Sequence, residues 1–89
     1  MERTIAVGSY SAASGLRLEW SSGFRIEVKL HSGEVLISAN KAGLTSLAQH
    51  LLTLADDCVP VGTHLHLDAS RELEDASLDL VIERKEYEH

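Results

Sequence analysis

Between Phe24 and Ile82 the apolar periodicity changes twice, from two to about 3.6 and back to two, which calls for one helix among antiparallel strands. Phe24, Ile26, Val28 and Leu30 alternate with Arg25, Glu27, Lys29 and His31, the pattern of a strand with one wet face. Leu16, Leu18 and Trp20 alternate before it, and Val35-Leu36-Ile37 follow it. Ser21-Ser22-Gly23 and His31-Ser32-Gly33 are short Gly-bearing links, so residues 16–38 are expected to form a three-stranded meander. Leu44, Leu47, Ala48, Leu51, Leu54, Ala55 and Cys58 then recur at helical spacing. Asn40 is a suitable N-cap, the helix should run to Asp57 or Cys58, and Pro60 and Gly62 stop it. Thr63–Leu67 and Leu78–Glu83 resume alternation. Thr4–Gly8 is a further strand candidate, residues 9–15 read as a mobile loop, and residues 85–89 as a frayed tail.

The expected fold is α+β: a two-layer, mostly antiparallel sheet of about five to six strands with one amphipathic helix packed on one face. Leu47, Ala48, Leu51, Leu54 and Ala55 should face Phe24, Ile26, Val28 and Leu80. With 89 residues, 44% of them apolar and 25% charged, the chain reads as a single domain over 1–89 with one core and little room for an elaborate active site. No apolar run approaches the roughly 18 residues of a membrane span, and the N-terminus lacks a secretory pattern, so a cytoplasmic location is expected. A lone Cys58 offers neither a disulfide nor a cysteine cage, and as a continuation of the apolar stripe it is expected in the core.

Charge is unevenly placed. The net charge is −6, yet residues 56–89 carry ten acids against three bases while residues 1–55 are close to neutral. An acidic third opposes nucleic-acid binding and favours a basic protein partner, although acids also serve solubility. Asp56, Asp57, Asp68, Glu72, Glu74 and Asp75 are the carboxylates expected to be presented to such a partner. Asp56 and Asp57 at a helix C-terminus oppose its dipole, which hints at a use other than helix stability.

Motifs for chemistry are sparse. His64, His66 and Asp68 share one face of a strand, so they form the one candidate metal set, with His50 as a further donor if the helix packs on that side. Two imidazoles without an assured third ligand line a wet sheet face more readily than they hold zinc, and no metal or other cofactor is expected. No serine stands in a Gly-x-Ser-x-Gly setting, and no phosphate-binding glycine pattern occurs. Gly43, inside the first helical turn, costs about 1 kcal/mol relative to alanine, which fits either close packing of a strand or a partner against that turn or simple tolerance near a helix end.

Ala39-Asn40-Lys41-Ala42-Gly43-Leu44-Thr45-Ser46-Leu47-Ala48-Gln49-His50-Leu51-Leu52, then Val59–Asp68, Leu73-Glu74 and Ser77–Ile82, resemble the bacterial immunity protein 32 family. The resemblance covers about half of the chain, and it places Asn40, Gly43, His50, His64, His66 and Asp68, with Leu44, Leu47, Ala48, Leu51, Leu73 and Ser77, at recurring positions. It implies an immunity protein of a polymorphic toxin system that binds and neutralises a cognate toxin without catalysis. For a toxin acting on nucleic acid, an acidic face would complement a basic active site. Two other classes stay open: a small adaptor or structural domain that self-associates through a strand edge, and a metal-dependent enzyme built on His64 and His66. A monomer and a homodimer are both compatible with the sequence.

Overall fold

The computed structural model describes residues 9–11 and 15–87. In chain order these form β1 (Ser9–Ser11), β2 (Gly15–Arg17), β3 (Ile26–His31), β4 (Glu34–Ala39), α1 (Lys41–Leu54), β5 (His64–Leu67) and β6 (Leu80–Glu83). The class is α+β with antiparallel pairing, as expected. The strands do not join one regular sheet: β1 pairs with β2, β3 with β4 and β5 with β6. The expected strand at Thr4–Gly8 lies outside the described residues.

The loop and meander expectations need correction. Ser9–Ser11 and Gly15–Arg17 pair as strands, with Tyr10 opposite Leu16, while residues 12–14 lie outside the described set. Three-residue strands are too short to display alternation, which is why this stretch read as a loop. β2 therefore pairs with β1 and not with β3. Ser21–Gly23 is a turn instead of a hairpin link, closed by Phe24 N–H donating to the Ser21 carbonyl, with Gly23 at φ 78°. It folds Trp20 inward, where its ring stacks on Phe24 at 4.4 Å and meets His50 edge-on at 4.2 Å.

β3 and β4 do form the expected hairpin. Ser32 and Gly33 both take positive φ, 50° and 79°, the backbone of a two-residue turn whose twist matches its flanking strands. On the other edge of β3 the 74–78 connection takes the place of a strand. Glu74 N–H donates to the Ile26 carbonyl and Leu78 N–H to the Val28 carbonyl, both at 2.8 Å. Between them the Ser77 hydroxyl accepts from Val28 N–H where a ladder would use a carbonyl, and Ala76 sits at φ 65°. This positive-φ kink interrupts what the alternating pattern suggested would be one sheet.

Two apolar clusters hold these elements together. Ile26, Val28, Leu67 and Leu73 are buried as one, with Trp20, Phe24, Ala39, Leu47 and Leu80 packed on them. Leu54, Val59 and Leu65 form the other, with Leu18 and Ile82.

The helix presents a different face from the one its leucines suggested. Gly43, Ser46, Gln49, His50, Thr53 and Leu54 are buried, whereas Leu44 and Leu51 are 55% and 49% exposed and Ala55 is exposed. Gly43 sets this rotation, because its bare Cα face lies against Arg25 and Ile26. Positions three, seven and ten residues further on share that face and are drawn inward whatever their polarity. Ser46 accepts from Ser21 N–H at 2.8 Å and the Thr53 hydroxyl donates to the Gln49 carbonyl at 2.8 Å, so two of the buried hydroxyls are satisfied.

α1 also ends earlier than expected. Ala55 N–H bonds back to the Leu51 carbonyl, and the Arg84 guanidinium donates to the carbonyls of Leu54 and Asp56. The chain turns there, the Asp56 carboxylate accepting from Cys58 N–H at 3.0 Å. Cys58 is consequently exposed and not in the core.

Candidate functional site

Asn40 organises the N-terminal end of α1. At φ −78° and ψ 179° it caps the helix, its Oδ1 accepting from Gly43 N–H at 2.8 Å and from Arg25 N–H at 3.0 Å. Its Nδ2 donates to the Gly23 carbonyl, and its own N–H to the Arg25 carbonyl. One amide thereby ties the helix start to the segment entering β3. Arg25 reaches from this junction to Glu74, with Nε and Nη2 at 2.8 and 2.6 Å from Oε1. Arg25, Glu27, Ser38, Asn40 and Glu74 line an open depression of about 320 Å³ there.

Three of the six acidic candidates stand at opposite ends of the helix. Asp56 and Asp57 lie at the C-terminal end beside Arg84, while Glu74 belongs to the N-terminal end through Arg25. Fourteen residues at about 1.5 Å per residue separate those ends by roughly 20 Å. Several of the acids already serve the fold. Asp68 accepts from Ser70 N–H and hydroxyl and stands 3.8 Å from Arg71, and Glu72 accepts from Asp68 N–H at 3.3 Å. Hydrogen bonds to Ser70 hold the Asp68 carboxyl below its ordinary pKa, and the Asp56 carboxyl is lowered first by its bond to Cys58. Asp57 and Asp75 are exposed and make no hydrogen bond or ion pair among the described residues.

His64 and His66 project from the exposed face of β5, with Leu65 and Leu67 buried on the other. His64 Nδ1 lies 3.4 Å from the Gly62 carbonyl, and His66 Nε2 lies 3.4 Å from Asp79 Oδ2. Asp68 Oδ1 accepts from Ser70 in its own loop, and His66 is near enough for its charge to add slightly to the lowering of the Asp68 pKa. His50 is fully buried under Trp20, away from both. Among the described residues no three His, Cys, Asp or Glu side chains stand close enough to hold a metal ion. Cys58 has its thiol pKa raised, chiefly by hydrogen bonding to Asp56, which leaves it a weak nucleophile.

Sequence reasoning passed over two further groups. Arg84 enters the sequence reading only as one of the three bases of the acidic third, yet it supplies donors to the open carbonyls of the helix end. The β3–β4 hairpin carries Leu30, Val35, Leu36 and Ile37 exposed. The period-two pattern that identified these strands does not tell how far the helix covers them.

The geometry defines a small α+β protein with carboxylates near both ends of its helix and an exposed apolar hairpin. Residues 34–85, more than half of the chain, match the model of a family described as Immunity protein 32. The chain belongs to that family. The match takes in β4, α1, β5 and β6 whole, with Asn40, Gly43, His50, His64, His66 and Asp68 inside it. No curated protein and no solved structure matches the chain. No helix among the described residues is long and apolar enough to cross a membrane.

Proposed function

We propose that this chain neutralises a cognate bacterial toxin by stoichiometric binding, without chemistry of its own, in the cytoplasm of a cell carrying a polymorphic toxin system. The family match over residues 34–85 carries the reading, since an immunity protein implies a toxin to be immune to. Occluding an active site requires shape and charge, which a domain of this size can supply.

The partner-facing surface in this reading is acidic. The Asp68–Asp75 connection, with Asp68, Glu72, Glu74 and Asp75, meets a basic face of the toxin, and Asp57, with Asp56 beside it, forms a second contact beyond the helix. Asp57 and Asp75 support it best, because their carboxylates are exposed and not engaged elsewhere among the described residues. Paired acids such as Glu74 keep their fold contacts and add field. Complementary charge of this kind mainly accelerates encounter.

The test is association kinetics against the toxin encoded beside this gene, at two salt concentrations, for wild type and for Asp57→Lys with Asp75→Lys. The double reversal should slow association at least tenfold and flatten its salt dependence while leaving the fold unchanged. Unaltered association would remove the acidic surface from the contact. Failure of wild type to bind the toxin at all would contradict the neutralisation reading itself.

A further inference from the structure

Among the described residues the β3–β4 sheet has one edge in use and one open. Val28 gives its N–H and C=O to Ser77 and Leu78, away from β4, so antiparallel geometry turns Glu27, Lys29 and His31 toward their partners Ser38, Leu36 and Glu34. It follows that the N–H and C=O groups of Val35 and Ile37 point outward from β4. Among the described residues nothing bonds to them. The devices that usually blunt such an edge are missing from β4, whose sequence Glu-Val-Leu-Ile-Ser-Ala has no proline or lysine and one charge at its end.

Side chains make the same edge apolar. Cross-strand partners share a face, so Leu30, Val35 and Ile37 continue the face on which Ile26 and Val28 are buried, yet they are 65%, 64% and 42% exposed. Leu36 is exposed on the opposite face.

We propose that β4 pairs antiparallel with β4 of a second copy of this chain, about a two-fold axis through Leu36, so that one sheet runs across both copies. The strand is self-complementary in that register. Val35 stands opposite Ile37 of the second copy, Leu36 opposite Leu36 and Glu34 opposite Ser38, so apolar residues meet at the centre and the two Glu34 carboxylates fall at opposite ends. Val35 and Ile37 then exchange their outward N–H and C=O groups with each other across the axis. No like charges face one another along the strand, despite the net charge of −6 on each chain. With the outer edge of β3 occupied by the 74–78 connection, this sheet cannot extend further, and the contact closes at two copies.

Sedimentation equilibrium of the full chain from low to high micromolar concentration tests this. The mass should rise from the 9.7 kDa of one chain toward twice that value. Val35→Lys should weaken the dimer at least tenfold, and so should Ile37→Pro, which removes an outward amide and none facing β3. Both should keep the helical circular dichroism of wild type. Leu36→Cys in a Cys58→Ser background should oxidise to a covalent dimer, because directly opposed residues in a non-hydrogen-bonded pair have Cβ atoms about 4.5–5.5 Å apart. Leu52→Lys, on the exposed side of α1, should leave the dimer intact. A single-chain mass at every concentration overturns the proposal, and so does a dimer that Leu52→Lys dissociates and Val35→Lys does not. A single-chain mass combined with loss of toxin binding in Val35→Lys would assign the edge to the toxin instead.

Discussion

Gly43 faces the backbone carbonyl of Arg25 so closely that a Cβ at position 43 would stand 2.5 Å from that oxygen, and 3.0 Å from both Ala39 Cβ and Ile26 Cγ1. The oxygen belongs to backbone held by Asn40, whose N–H donates to it and whose side chain accepts from Arg25 N–H. It has no flexible side chain to yield. Gly43→Ala should therefore destabilise the protein by about 1–3 kcal/mol through overpacking, although alanine is the better helix former by about 1 kcal/mol. A urea melt decides the sign. Increased stability would mean that the helix stands further from β3 than described.

Removing the Asn40 side chain should be costly for the same junction. Asn40→Ala loses the helix cap and leaves Arg25 N–H and the Gly23 carbonyl without their partner. A cap alone is worth about 0.5–2 kcal/mol, so a loss at or above the top of that range is expected in the same melt. Asn40→Asp, which keeps the acceptor, should retain the larger part.

Leu51 and Leu54 should respond oppositely to truncation. Leu54 is buried with Val59 and Leu65, and Leu54→Ala should cost about 2–5 kcal/mol. Leu51→Ala removes a half-exposed side chain and should cost less than about 1 kcal/mol. Equal losses in parallel denaturant melts would restore the leucine stripe as the buried face.

How much was legible in the sequence turns on these helical positions. The helix, its cap and the β3–β4 hairpin were readable because Asn40, the stop at Pro60 and the Ser32-Gly33 turn are local signals. The rotation of the helix was not, because leucines at 44, 47, 51 and 54 outvote Ser46, His50 and Thr53 on any hydrophobicity scale. Gly43 was the available correction: close packing was one of two readings of it, and projecting that reading along a 3.6-residue period would have given the buried face. Ala76, a positive-φ residue that is not glycine, left no mark in the pattern, so the break between β3 and β6 was invisible. For the candidate surface, the acids were countable, but the placing of three of them at opposite helix ends depended on Arg25–Glu74 and Arg84–Asp56, contacts between residues far apart in the chain.

His50 makes stability sensitive to mild acid. Burial lowers its pKa below the ordinary 6.5, and neither ring nitrogen has a partner among the described residues. Below about pH 6.5 the unfolded chain binds a proton that the folded chain resists, so stability is full above that pH and falls as pH drops toward the lowered folded value. His50→Phe should flatten the curve of stability against pH in that window. An unchanged slope would show that His50 is readily protonated in the fold.

Stoichiometry of neutralisation tests the functional reading most directly. The activity of the toxin encoded beside this gene, held well above its dissociation constant and titrated with this protein, should fall linearly and reach zero at one chain per toxin molecule. Preincubation time should not move that endpoint, since nothing is turned over. Full inactivation by a small fraction of an equivalent would reveal catalysis, and undiminished activity at a large excess would show that this chain is not the toxin's immunity protein.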